Sequence, residues 1–307
     1  MPVTEPHPAP ATNAGLRAGT VHKAFSLTRV NAIASNTLLE LVRLKVYYFM
    51  LLFGLVLIGS SLFMVNFSFQ QQFQVLKDVS LGAMSIFSWL LGVLATAMLL
   101  PKDIEDRTLY TILAKPVPRF EYLLGKLFGV LLLLGIAIGL MSVVFYLVLF
   151  LRERWEIAAT VQNLEPDQVQ AAIADIHNAA FGGSLIPAIV IIYLKAALCA
   201  SLTLMLSTFA SSTIFTIMVS IMFYFIGHVQ WIAREAWLGE GASFLARQFL
   251  LVVALVFPDL QLFNLVDDIV VGTVVPTMMF VKTAGLGLMY TVVYLLAGYW
   301  FFSAKEL

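Results

Sequence analysis

The densest cluster of ionisable side chains in this chain lies between Pro101 and Lys126, in the run PKDIEDRTLYTILAKPVPRFEYLLGK. Positive and negative residues alternate over its first part, from Lys102 to Arg107. Charged side chains of both signs can form charge-assisted hydrogen bonds with another protein surface. Pro116 and Pro118 fix the backbone dihedral φ at two positions of the run. The residue types therefore predict a stiff docking surface.

A single lysine, Lys195, occupies the interior of an apolar run. It lies about ten residues from the start of that run, which is roughly 15 Å deep at a helical rise of 1.5 Å per residue. A cation at the centre of a membrane costs about 2.5–3.5 kcal/mol on insertion scales. Two roles remain open for Lys195: contact with an anionic substrate group such as a lipid phosphate, or a snorkelling or backbone-paired structural lysine.

Ser184 and His228 are candidates for nucleophilic catalysis, because a membrane-embedded hydrolase can use a Ser–His pair. The residues around Ser184 read Gly-Gly-Ser-Leu and lack the Gly-x-Ser-Gly pattern of rhomboid-type proteases. We interpret Ser184 as a helix N-cap and His228 as an interfacial residue. The one cysteine, Cys199, excludes a disulfide framework. The sequence thus predicts no enzyme, no bound cofactor and no metal on this chain.

The composition is that of an integral membrane protein. Hydrophobic residues make up 61% of the chain and charged residues 12%, against roughly 45–50% and about 25% in soluble domains. Membrane lipid is therefore an expected contact. The net charge of zero gives no sign of a nucleic-acid partner. Residues 1–20 are rich in Pro and Ala and predict a disordered tail, followed by a single transmembrane domain over residues 21–307.

Apolar runs long enough to cross a membrane predict the architecture. A span needs about 20 apolar residues, and its backbone polar groups must bond internally, so the spans are helices. The predicted fold is all-α with six transmembrane helices, at about 46–65, 79–100, 123–149, 185–209, 213–231 and 275–302. The shorter run Phe249–Phe257 is left open as re-entrant, interfacial or spanning.

Lysine and arginine favour the cytoplasmic side of membrane proteins. The segment before the first span and the loop after the second are rich in both, while the other loops carry many acids. This distribution places both termini and the Pro101–Lys126 loop in the cytoplasm. Segments 152–182 and 232–274 are then external, with short helices, and Pro166 either breaks or begins one of them.

A helix is also predicted before the first span. Leu27, Val30, Ile33, Ala34, Leu38 and Leu41 recur at helical spacing. Polar residues occupy the positions between them. We interpret this segment as an amphipathic helix lying on the membrane interface.

Within the polar loop, Pro101 is expected to end the second span, because a helix rarely continues through proline. Thr108–Ala114 predicts a short helical turn with an apolar side. The chain then returns to the membrane, where Phe120, Tyr122 and Leu123 suit the interface. The result is a short helix across the membrane surface between rigid turns.

At these residues the chain resembles the type 2 ABC transporter permeases, the six-span subunits of bacterial export systems. Their loop combines an acidic residue, Thr-Leu, a short apolar turn, Pro-Val-Ser-Arg, an aromatic residue and Leu-Leu-Gly-Lys. The matching positions are Glu105, Thr108, Leu109, Pro116, Val117, Arg119, Gly125 and Lys126. Pro118 stands where serine is commoner. The run from Asn36 to Met50 is similar to the family's approach to its first span.

The resemblance implies that the loop is a coupling helix that contacts a separate ATP-binding subunit. The residues expected to make this contact are Glu105, Asp106, Arg107, Thr108, Leu109, Leu113, Pro116 and Arg119. The chain contains no Gly-x-x-x-x-Gly-Lys-Ser/Thr run, so ATP and Mg²⁺ are expected on two copies of a partner ATPase. A second permease, identical or similar, would complete an exporter of the bacterial inner membrane. A channel or scaffold that does not use ATP is the competing hypothesis.

Overall fold

The computed structural model describes residues 25–63, 69–105, 117–162, 165–182, 185–210, 212–238, 248, 256–264 and 276–304. Within these ranges the regular structure is helical, without strands. The helices are α1 (Leu27–Val42), α2 (Lys45–Ser60), α3 (Phe69–Glu105), α4 (Arg119–Val161), α5 (Pro166–Phe181), α6 (Leu185–Phe209), α7 (Thr213–Leu238) and α8 (Thr277–Ala304), with 3₁₀ turns at Ser61–Phe63 and Leu260–Phe263.

Six helices of the described chain are long and apolar enough to cross a membrane, which confirms the six-span prediction. They are α2, α3, α4, α6, α7 and α8. Several continue well beyond their predicted ends; α4, for example, runs to Val161. Residues 1–20 and most of the Phe249–Phe257 run lie outside the described residues, so both interpretations stay predictions.

Helix α6 lies at the centre of the bundle, and most of its side chains are buried. Small residues make this possible: a Cβ added at Gly92 of α3 would lie 3.5 Å from the Ala196 carbonyl oxygen and 3.6 Å from the Ala200 Cβ. Helices α2, α7 and α8 instead leave most of their apolar side chains exposed. In a protein of this composition, such open faces suit contact with lipid or with another membrane chain.

The helix predicted before the first span is present as α1, and its apolar side packs against α4. Val30, Ala34 and Leu41 are buried, while Leu27 remains exposed. Its position on the membrane interface stays a prediction. In the structure, the side chains of α4 cover much of this apolar side.

Two glycines let α1 approach α4. A Cβ at Gly125 would lie 2.7 Å from the Ile33 Cβ, and a Cβ at Gly129 would lie 2.6 Å from the Thr37 Cβ. The two glycines are four residues apart and therefore lie on the same side of α4. Gly125 and Gly129 form a Gly-x-x-x-Gly motif, which lets membrane helices pack with their backbones close together; we call this contact the glycine seam. It fixes α1 along the first turns of α4.

The prediction that Pro101 ends the second span is wrong, since α3 continues through this proline to Glu105. Proline removes one backbone N–H and its hydrogen bond. The last turn of α3 has other attachments, because the side chains of Lys102 and Asp103 form ion pairs with neighbouring helices. Tertiary contacts thus extend the helix past a local stop signal.

The interfacial interpretation of Tyr122 and Leu123 is also wrong, because both side chains are fully buried. They belong to a small apolar cluster with Leu100, Leu204 and Phe302, which joins α3, α4, α6 and α8. Burial of aromatic and leucine side chains here stabilises the helix ends that bracket the polar loop.

At the other end of the bundle, Pro166 begins α5, which is one of its two predicted roles. The ammonium of Lys77 in α3 donates to the carbonyl oxygens of Ala179 and Gly182 at the end of α5, at 2.8 and 3.2 Å. Carbonyls at a helix C-terminus lack intrahelical donors. Lys77 therefore attaches α5 to the membrane bundle.

The glycine seam gives a stability prediction. Gly129→Ala should lower the free energy of unfolding by about 1–3 kcal/mol, because overpacking forces α1 away from α4. Gly139→Ala in the same helix is the matched control, since nothing lies within 4 Å of an added Cβ there. Thermal unfolding of both purified variants in detergent measures the difference. Equal melting temperatures for the two variants would contradict the seam.

Candidate functional site

The described part of the polar loop consists of its two ends. Asp106, Arg107, Thr108, Leu109, Leu113 and Pro116 lie outside the described residues. The backbone of Glu105 forms the last residue of α3, and Arg119 is the first residue of α4. The structure therefore describes the end of α3 and the start of α4, which form the base of the loop on either side of residues 106–116.

A cluster of charged side chains joins the two ends of the segment. The Lys126 ammonium of α4 lies 2.7 Å from an Asp103 carboxylate oxygen of α3. The Tyr122 hydroxyl donates a hydrogen bond to the same carboxylate. Asp103 and Lys126 are both buried. Buried charges of opposite sign stabilise one another far more than exposed pairs do, because little water screens them.

Helix α1 contributes Glu40 to this cluster. One carboxylate oxygen of Glu40 lies 2.8 Å from the Lys102 ammonium, and the other lies 3.5 Å from that of Lys126. Glu40 thus bridges α3 and α4 from a third helix. We name Glu40, Lys102, Asp103, Tyr122 and Lys126 the junction cluster.

A second ion pair holds the beginning of α1. The Arg29 guanidinium donates to both carboxylate oxygens of Glu121, at 2.6 and 2.7 Å, in the two-pronged geometry that favours Arg–carboxylate pairs. The backbone N–H of Ser26 donates to Glu121 as well, at 3.0 Å. The hydrogen bond to Glu121 raises the pKa of Arg29. Both ends of α1 are therefore attached to the base of the loop.

Arg119 contacts α8. Its guanidinium donates to the carbonyl oxygens of Phe302 and Ser303, at 3.1 and 2.9 Å, and lies 5.8 Å from the centre of the Phe302 ring. The last carbonyls of a helix favour a nearby cation. Arg119, which was predicted to contact a partner ATPase, has partners within the chain in this structure.

Lys195 lies inside the bundle, with 5% of its surface exposed. Its ammonium is 3.0 Å from Nε2 of His228. The other ring nitrogen of His228 is 2.9 Å from the Tyr224 carbonyl oxygen, which can only accept. The Nδ1 atom therefore carries the proton, and Nε2 accepts from the lysine. The Tyr224 ring lies 5.4 Å from the ammonium and stacks on Trp89, with 3.7 Å between ring centres.

Comparison with protein families gives a match over residues 32–307 to the model described as ABC-2 family transporter protein. The chain belongs to this family. A search of curated proteins found no significant match. The matched region includes α1 from Ala32 onward and the whole polar loop. Membership makes the chain the membrane component of an ABC transporter, a permease and not itself the catalytic subunit, and it implies an ABC ATPase as partner.

In this ABC-2 permease, the Ser184–His228 hydrolase hypothesis gains no geometric support. Ser184 lies outside the described residues. Helix α7 continues to Leu238, but its stretch that is long and apolar enough to cross a membrane ends at Trp231, so the interfacial interpretation of His228 stays a prediction. The ring of His228 faces Lys195. The antiparallel arrangement of α6 and α7 brings the two residues together, because Lys195 lies about as far from the end of α6 at Phe209 as His228 lies from the start of α7 at Thr213.

The junction cluster of the ABC-2 permease was missed from the sequence. In the sequence, Lys102 and Lys126 indicate only orientation and family, and Glu40 carries no signal of its own. The periodicity of the segment before the first span predicts a helix, but the sequence around Glu40 does not show that its side chain faces the ends of the polar loop. That contact depends on how α1 packs against α3 and α4.

The burial of the junction cluster gives a prediction for Lys126. Lys126→Met should cost about 3–5 kcal/mol of stability, because it removes one partner of a buried ion pair and leaves the Asp103 carboxylate without its nearest cation. Adding Asp103→Asn should recover a large part of this loss, since the buried carboxylate that Lys126 neutralised is then itself neutral. Unfolding by SDS titration in mixed micelles measures both variants and their coupling energy. Additive effects of the two substitutions would refute the pairing.

Proposed function

We propose that this permease is the six-span membrane subunit of an ATP-driven bacterial exporter, and that its ATPase docks on the 101–126 loop. The observation that carries the proposal is the junction cluster. It bonds the two ends of the loop to each other and to α1. A loop on such a base can transmit a displacement to the spans on either side.

The proposal places ATP and Mg²⁺ on the partner. The sequence has no phosphate-binding Gly-x-x-x-x-Gly-Lys-Ser/Thr run, and the family implies an ABC ATPase. We expect two ATPase copies and two permease copies, the second permease being identical or similar. The open apolar faces of α2, α7 and α8 offer surface for a second membrane chain.

The proposed location is the bacterial cytoplasmic membrane, with both termini and the loop in the cytoplasm. The distribution of lysine and arginine supports this orientation. The junction cluster is consistent with it, because the described residues at that end of the bundle include Lys102, Arg119 and Lys126. An ATPase in the cytoplasm could then reach the loop.

Docking can be tested by purification from native membranes with a tag on the permease. We expect an ATPase with a phosphate-binding loop to copurify in a 1:1 ratio. Leu109→Arg should reduce its recovery at least tenfold, because a charge on the apolar side of the predicted turn opposes packing into a partner groove.

Gln162→Arg is the matched control, since it adds the same charge to an exposed position at the opposite end of α4. Full recovery of the ATPase with this control confirms that the loss is local. If no ATPase accompanies the unmodified chain, the exporter proposal fails and the channel or scaffold hypothesis takes its place. Equal recovery with Leu109→Arg would contradict docking at the loop.

We also propose that Lys195 lines the pathway and contacts an anionic group of the cargo. Support comes from the cluster around it: a buried ammonium, a histidine and two stacked aromatic rings at mid-span. Among the described residues, the buried indole N–H of Trp89 has no hydrogen-bond acceptor. An anionic amphiphile could accept from these donors and pack its apolar part against the rings.

Lys195→Met tests this role in proteoliposomes that contain permease and ATPase. We expect a lipid extract of the source membrane to stimulate ATP hydrolysis, and the variant should lose at least 80% of that increment while basal hydrolysis persists. Lys282→Met is the control, because Lys282 lies exposed on α8. An unchanged increment with Lys195→Met would show that the lysine serves only the structure.

A further inference from the structure

We infer that Glu40 is a positioning residue for the coupling step, and that α1 carries the displacement of the docking loop to the first span. This inference rests on the proposed function, since it concerns how an ATPase docked on the loop would move the spans. It assigns a role to a residue outside the loop itself.

The first step is the bridge. Glu40 uses one carboxylate oxygen for Lys102, three residues before the end of α3, and the other for Lys126, in the second turn of α4. Among the described residues, it is the member of the junction cluster that α1 contributes. Its carboxylate is less than a quarter exposed, so water screens the two contacts only in part.

The second step is the stiffness of α1. The helix is held at its beginning by the Arg29–Glu121 pair and along its length by the Gly125–Gly129 seam. Glu40 adds an attachment near its end. A helix fixed at three places along α4 moves with the first turns of α4 as one body.

The third step is the connection to the membrane. Helix α1 ends at Val42 and α2, the first span, begins at Lys45. The short connection has hydrogen bonds of its own, from the Leu44 N–H to the Leu41 carbonyl and from the Tyr47 N–H to the Leu44 carbonyl. A displacement of α1 therefore reaches α2 across an ordered turn. Most of the α2 surface is exposed, and the helix packs along one side against α3 and α4.

These steps give Glu40 a specific function. Without its charge, the last turn of α1 would lose its bond to both ends of the docking loop, while the glycine seam and the Arg29–Glu121 pair would remain. The ATPase would still dock and hydrolyse ATP. A displacement of the docking loop would then move the first span, α2, by a smaller distance.

The test uses the complete complex in proteoliposomes. Spin labels are placed at exposed positions of α2 and α7 by Val56→Cys and Met218→Cys in a Cys199→Ser background, and labelled chains are diluted with unlabelled ones. Double electron–electron resonance spectroscopy measures the distance between the two spin labels, first without nucleotide and then with ATP and vanadate. In Glu40→Gln, we expect the ATP-dependent distance change to fall by at least half, with ATPase recovery and the rate of hydrolysis kept within twofold.

Glu165→Gln is the matched control, because it removes an exposed carboxylate before α5, at the far end of the bundle. It should leave the distance change intact. Glu40→Asp keeps the charge and should restore part of the change, which a general loss of stability would not explain. A full distance change in Glu40→Gln would overturn the inference.

If Glu40→Gln does not assemble with the ATPase, the same distance measurement is made on Lys102→Gln. This variant removes the Lys102–Glu40 ion pair and keeps the buried Lys126–Asp103 pair. A normal distance change in that variant would overturn the inference, and a reduced one would support it. Absence of a copurifying ATPase from the unmodified chain would be a different result. It would refute the exporter proposal and not the bridge.

Discussion

Buried charge is the constraint on which this permease depends at its polar end. An ammonium and a carboxylate that leave water lose several kcal/mol of solvation each, and only close pairing can offset that loss. Asp103 and Lys126 satisfy this requirement with each other, which fixes the end of α3 against the start of α4. The loop between them consequently has ends of defined separation.

The glycine seam and the ion pairs act on different aspects of the same junction. Gly125 and Gly129 allow close approach of α1 and α4, but a smooth contact between helices permits sliding. Arg29–Glu121 and the Glu40 bridge set the register of that contact, because charged pairs are directional and specific in partner. Packing thus supplies proximity, and electrostatics selects one of the positions that packing allows.

The sequence predicted the parts of the fold that depend on lipid. Span number follows from hydropathy alone, because lipid imposes the same length and composition on each helix. Local rules failed where tertiary contacts compete with them. Pro101 did not stop α3, since ion pairs of Lys102 and Asp103 hold the following turn. Tyr122 looked interfacial by type but is buried beside Asp103, and His228 faces Lys195 because two helices pair in antiparallel order.

The contact between Arg119 and α8 has a consequence for synthesis. Helix α4 is made well before α8, yet its first residue binds the carbonyl oxygens of Phe302 and Ser303. Membrane chains are inserted from the N-terminal side during translation. The base of the polar loop is therefore completed only after the sixth span is in place. A partly inserted chain would lack this attachment, so the first residue of α4 reaches its final contacts only when the transmembrane bundle is whole.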